Sequence, residues 1–110
     1  MAKIDIITLS GITASDGSIV ASGATVKFDS EFYAASTDIR IMLRIYRNRE
    51  LFDLGYSAVQ VSEETLPYDF MLSIPEEEFY VITPTILYQE VRDYLNRLIP
   101  DMFEVQIITD

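Results

Sequence analysis

Residues 39–46 read Ile39-Arg40-Ile41-Met42-Leu43-Arg44-Ile45-Tyr46. Successive side chains of an extended chain point to opposite faces, so Ile39, Ile41, Leu43 and Ile45 share one face, and Arg40, Met42, Arg44 and Tyr46 share the other. Such strict alternation leaves no stripe at helical spacing, and the segment reads as a strand with one side on a core.

The same period runs through the preceding segment. Val26, Phe28 and Phe32 point one way, and Thr25, Lys27, Asp29, Glu31 and Tyr33 the other, with a short break at Ala34-Ala35-Ser36. After the arginine-bearing strand, Arg47-Asn48-Arg49-Glu50 leads into Leu51-Phe52-Asp53-Leu54-Gly55, a reversal with an apolar tip. Tyr56 to Ser62 returns as a strand with Val59 and Val61 inward, which predicts a long central hairpin. Glu63-Glu64-Thr65-Leu66-Pro67 breaks that strand. Tyr68 to Ile74 forms the next, with Phe70, Leu72 and Ile74 inward and Asp69, Met71 and Ser73 outside.

The two ends complete the plan. Ile4, Ile6 and Leu9 mark a strand at residues 3–9, and residues 10–24 form a Gly/Ser/Ala-rich loop, arm or irregular hairpin anchored by Ile12, Ile19 and Val20. Asp16-Gly17 is its best tight turn. Toward the carboxyl end, Pro75 and Glu76-Glu77-Glu78 stop a strand, and Phe79 to Ile82 is a short strand or a buried lead-in. Thr83-Pro84 then offers an N-cap followed by proline at the first helical position. Leu87, Val91, Tyr94, Leu95 and Leu98 lie on one stripe of a helix that Pro100 ends, and Phe103, Val105 and Ile107 alternate with Glu104, Gln106 and Ile108 in a last strand. Burying that stripe contributes about 10 kcal/mol before entropy. The fold class is α+β: an antiparallel sheet of about five to seven strands with a long central hairpin, packed by one C-terminal amphipathic helix and followed by a last strand. The 110 residues form a single domain.

Composition narrows the chemistry. The chain has no histidine and no cysteine, which removes Ser-His-Asp and Cys-His catalysis, thiolate metal sites and disulfides. No Gly-Lys-Ser/Thr follows the glycines of residues 11–23, so there is no Walker loop. Glu76, Glu77 and Glu78 are the densest acids, and they read as a solvated run at the positive end of a helix dipole rather than as a magnesium or calcium site. Asp16, Asp29 and Glu31 lack metal-ligand spacing. We expect no catalytic residue, no cofactor and no metal. A formal charge of −10 argues against nucleic acid and anionic membranes as main ligands. No run is long and apolar enough to span a bilayer, and the start lacks the apolar block of a secretion signal, so synthesis in a cytoplasm is expected.

Charge is uneven. Residues 1–49 carry six bases and five acids, net +1, and residues 50–110 carry two bases and thirteen acids, net −11. Arg40, Arg44, Arg47 and Arg49 fall within ten residues. Arginine, methionine and aromatic side chains mixed on one strand face are what interface cores favour. The sequence thus nominates Arg40, Met42, Arg44, Tyr46, Arg47, Arg49, Leu51, Phe52 and Leu54 as an interface. Tyr33, Met71 and Ile108 also point outward, so the sheet face away from the helix needs a cover, from another subunit or from a fuller sandwich within the chain.

A glycine-, serine- and alanine-rich segment (Gly11 to Gly23) runs into Ala24-Thr25-Val26-Lys27-Phe28. An arginine-bearing hairpin follows (Arg40 to Gly55), and the chain closes on a helix and a last strand. This combination resembles small virion proteins of tailed bacteriophages, in particular those of crAss-like phages infecting gut Bacteroidetes. The resemblance covers most of the chain and carries over no site residue. It implies a non-enzymatic structural subunit of the virion, a neck, head-tail connector or tail-ring component made in the bacterial cytoplasm. Its partners would be other copies of itself and neighbouring virion proteins, with no sequence-specific nucleic acid and no membrane. The alternative is a monomeric adaptor that binds one protein through its arginine face.

Overall fold

A computed structural model describes residues 2–62 and 64–109. In chain order the elements are β1 (Ala2–Thr8), β2 (Ile12–Thr13), β3 (Ile19–Val20), β4 (Thr25–Tyr33), β5 (Asp38–Tyr46), α1 (Arg49–Asp53), β6 (Asp69–Ser73), α2 (Glu76–Phe79), α3 (Pro84–Leu98) and β7 (Phe103–Thr109). Five strands form one antiparallel sheet in the order β6-β5-β4-β1-β7, and β2 and β3 pair separately. The α+β class, the C-terminal helix and the strand after it are all present.

β5 is an interior strand, paired on both sides, between β6 and β4. Ile39, Ile41, Leu43 and Ile45 are buried. They meet Phe32, Ser30, Phe28 and Val26 of β4 across the pairing, and Ile39 and Ile41 meet Leu72 and Phe70 of β6. Ile6 lies beside Val26 on one side and Val105 on the other, so the helix-facing side runs through all five strands. α3 closes that side. Thr83 caps it by accepting the N–H of Ile86 (3.3 Å), Pro84 takes the first position, and Leu87, Val91 and Leu95 are buried. Tyr94 stacks on Phe70 with ring centroids 4.2 Å apart. At the opposite end of the sheet, Asn96 accepts the N–H groups of Met102 (3.2 Å) and Phe103 (2.8 Å) and donates to Phe103 O (2.9 Å), clamping the start of β7.

Several expectations are corrected. The long hairpin is β4–β5, paired over nine residues, and not β5 with Tyr56–Ser62. The reversal after β5 coils into α1, because Asn48 accepts the N–H of Leu51 (2.9 Å) as an N-cap. The returning chain then bridges β5 at Val59, whose N–H donates to Ile45 O (2.7 Å), without forming a strand among the described residues. The place beside β5 goes to β6, which is brought in by the bond from Leu43 N–H to Tyr68 O (2.6 Å). Of the two readings of Phe79 to Ile82, the strand is absent and the buried lead-in holds at Phe79, buried in α2, while Tyr80 and Val81 are exposed. Leu98 is exposed, because the helix's last turn passes the edge of the core, and Leu9 and Ile19 are exposed as well. The Glu63 of the expected break lies outside the described residues.

Residues 10–24 hold the β2–β3 hairpin, with Ile12, Ala14 and Val20 buried. Its turn is at Asp16-Gly17, where Gly17 has φ 87° and Ala14 N–H donates to Ser18 O (2.8 Å). The N–H and hydroxyl of Ser18 donate to Asp16 (2.9 and 2.6 Å) and hold its carboxyl below the ordinary carboxylate range.

Candidate functional site

The nominated arginines are spent largely within the chain. Arg40 donates through Nε to Asp69 Oδ1 (3.0 Å) on β6 and lies 3.6 Å from Glu31 on β4. That fork lowers the Asp69 pKa and raises that of Arg40. Arg44 reaches Asp29 (3.3 Å), and Arg47 donates to Ser18 Oγ (3.3 Å) on the β2–β3 hairpin. Glu31 also accepts the hydroxyl of Tyr33 (2.7 Å), which raises the Tyr33 pKa. The Arg40 and Arg44 pairs run across strands at the surface, where solvent screening leaves each only a small contribution to stability.

The other nominated residues divide. Met42 is half-buried and Leu54 exposed. Tyr46, expected to face solvent, is buried: α1 folds back over this side of the sheet and sets Phe52 edge-on against it at 5.0 Å. Arg49 turns inward to Asp5 and also pairs with Asp53 (3.2 Å). Leu51 and Phe52 are half-buried beneath the same turn. Part of the cover that the sequence left to another subunit or to a fuller sandwich within the chain is therefore supplied by the chain's own α1.

The residues under α1 form a charged cluster that sequence reasoning missed. Asp5 is 1% exposed, and its Oδ1 accepts from both Lys27 Nζ (3.0 Å) and Arg49. Its Oδ2 is buried without a partner. Lys27 also donates to Ile4 O (3.1 Å) and to the Tyr88 hydroxyl (3.1 Å), so all three ammonium donors are used. The ammonium lies 5.1 Å from the Phe52 ring centroid and 5.4 Å from that of Tyr88, within cation–π range. In sequence, Asp5 and Lys27 looked like ordinary outward residues of two strands, and no local pattern shows that the strands will be neighbours.

This cluster sits where the sheet splits. Thr8 N–H donates to Ala24 O (3.0 Å), and pairing of β1 with β4 ends at Ile6 and Val26. Lys27 occupies the fork, and its ammonium takes the Ile4 carbonyl that the next ladder bond would have used. Because ladder bonds alternate, the residues of β4 that face β1 are Ala24 and Val26, and past the fork Phe28, Ser30 and Phe32. The last three have no strand partner on that side among the described residues. The outer half of β4 is thus an open edge, bearing Asp29 and Glu31 on the face away from the helix.

A groove of about 340 Å³ lies along this edge, lined by Phe28, Ser30 and Phe32 and by Ile82, Leu87 and Tyr88. Phe32, Tyr80, Val81 and Ile86 are exposed in the elements around it. Phe32 lies 5.7 Å from Phe79, and Tyr80 donates to Ala34 O (3.4 Å), so the α2–α3 connection is held against the end of β4. An apolar groove beside unpaired backbone is chemistry for holding an extended chain. Among the described residues no three carboxylates gather as a metal site requires, and no helix is long and apolar enough to cross a membrane. Comparison of the chain with protein-family models, with curated proteins and with solved structures finds no match.

Proposed function

We propose that the protein is a non-enzymatic structural subunit that assembles through its sheet edges, in a phage virion as a neck, connector or tail-ring component. The open outer half of β4 with its apolar groove carries this reading. An edge that exposes backbone and apolar side chains together is a template for pairing with another chain, and the acids Asp29 and Glu31 that it carries restrict which strand can take the place. The virion assignment itself rests on the sequence resemblance. Residues 10–24 form a self-packed hairpin, so contacts between copies are assigned to strand edges rather than to an extended arm.

A monomeric adaptor is the second reading: the hairpin of residues 10–24, packed on the core through Ile12, Ala14 and Val20, favours it, whereas the internal pairing of Arg40 and Arg44 leaves less of the arginine face for a partner. Sedimentation velocity and native mass spectrometry over a wide concentration range separate the two. The assembly reading expects one defined stoichiometry above one, seen as closed rings in electron micrographs. A single chain at all concentrations contradicts it.

A further inference from the structure

Resting on the assembly reading, we infer that the open edge of β4 is filled by β7 of a second copy, with Ile107 of that copy set into the groove over Ser30. The choice follows from strand parity, charge and shape.

The bonds present show which residues of each outer strand face outward. Met102 O accepts the N–H of Leu9 (2.8 Å), so even-numbered residues of β7 face β1, and Phe103, Val105 and Ile107 turn their backbone groups out. Their side chains lie on the helix side, since Val105 and Val26 both stand beside Ile6. The open residues of β4, Phe28, Ser30 and Phe32, also carry their side chains on the helix side. Directly paired residues share a face. A second copy can therefore add β7 to β4 with both helices on the same side of a continuous sheet.

The other edges fail on the same grounds. Tyr68 O accepts from Leu43, so β6 turns Asp69, Met71 and Ser73 outward, and their side chains lie on the face opposite the helix. Joining β6 to β4 would turn the second copy over. Joining β4 to β4 sets acid against acid in every antiparallel register that pairs at least two of Phe28, Ser30 and Phe32: Asp29 on Glu31, Asp29 on Asp29, or Glu31 on Glu31. Like charges directly opposite are destabilising.

An antiparallel β7 with Ile107 opposite Ser30 and Val105 opposite Phe32 avoids this conflict. Glu31 then meets Gln106 and Asp29 meets Ile108. Ile107 is 57% exposed in the single chain. The small Ser30 between two phenylalanines leaves the groove open for it. The contact joins different surfaces of the two copies, so it is head-to-tail and closes into a ring or extends as a filament.

Two substitutions test it. Ser30→Pro removes an outward N–H without touching the β5 ladder, and proline is tolerated at such edge positions. Ile107→Glu places a charge where the groove is apolar. Each variant alone is expected to fall to the mass of one chain at concentrations where the wild type is assembled, and an equal mixture of the two to form a one-to-one heterodimer, since each retains the half the other lacks. If Ser30→Pro lowers the melting temperature, Ser30→Glu carries the test in its place. Variants that keep the wild-type mass, or a mixture that stays single, overturn the β7-to-β4 contact and leave assembly standing. A wild type that is single at every concentration removes the assembly reading and this contact with it.

Discussion

Replacing Asp5 by asparagine removes the one acid that holds Lys27 and Arg49 together beneath α1. The two cations are bonded to a single oxygen, so their nitrogens are at most about 6 Å apart, and at an effective dielectric near 20 their repulsion is about 3 kcal/mol. Breaking a buried ion pair by deleting one partner costs about 3–5 kcal/mol. Lys27 and Arg49 keep 13% and 23% of their side-chain surface in solvent, which places the expected loss at the lower end, about 3 kcal/mol. In a domain of this length that lowers the melting temperature by about 10–15 °C. Urea unfolding followed by circular dichroism gives the free energy directly. A triple variant, Asp5→Leu with Lys27→Met and Arg49→Met, is expected to recover most of the loss, because Asp5 Oδ2 is buried unpaired and an apolar cluster removes that burden. A single Asp5→Asn loss below about 1 kcal/mol, or a triple variant weaker than the single one, would refute this account of the fork.

Three further outcomes follow from the geometry. Asn96→Ala removes three bonds to the start of β7 and is expected to cost about 1–3 kcal/mol, read by urea unfolding. Gly17→Ala is expected to cost about 1 kcal/mol, again by urea unfolding, because φ there is 87° and nothing lies within 4 Å to add a clash. The Asp69 pKa is lowered by Arg40, so its contribution is present above the unfolded carboxylate value near 3.9 and is lost as pH falls through the folded value. Melting temperatures measured across that acid range should fall less steeply in Asp69→Asn than in the wild type.

The elements of this fold were legible where local chemistry decides them. The alternation of residues 39–46, the Thr83-Pro84 start of α3 and the Asp16-Gly17 turn all stand as their residues require. What escaped the sequence is which strands become neighbours. Tyr46 alternates like an outward residue and is buried because α1 folds over it. Tyr56 to Ser62 has strand-like residues, yet β6 takes the place beside β5. Asp5 and Lys27, twenty-two positions apart, meet at the fork. That fork in turn makes β4 an open edge, a property of pairing that no window of residues displays. The arginine run was visible at once, but its cross-strand partners Asp29, Glu31 and Asp69 depend on register.

Hydrogen exchange of individual amides, followed from dilute to concentrated protein, tests the central claim that copies join at the open edge. The N–H groups of Phe28, Ser30, Phe32, Val105 and Ile107 should exchange freely in the single chain and become at least about tenfold more protected in the assembled state, while Leu43, bonded within the sheet, stays unchanged. Equal exchange of those five amides at every concentration, in a protein shown to assemble, would contradict it.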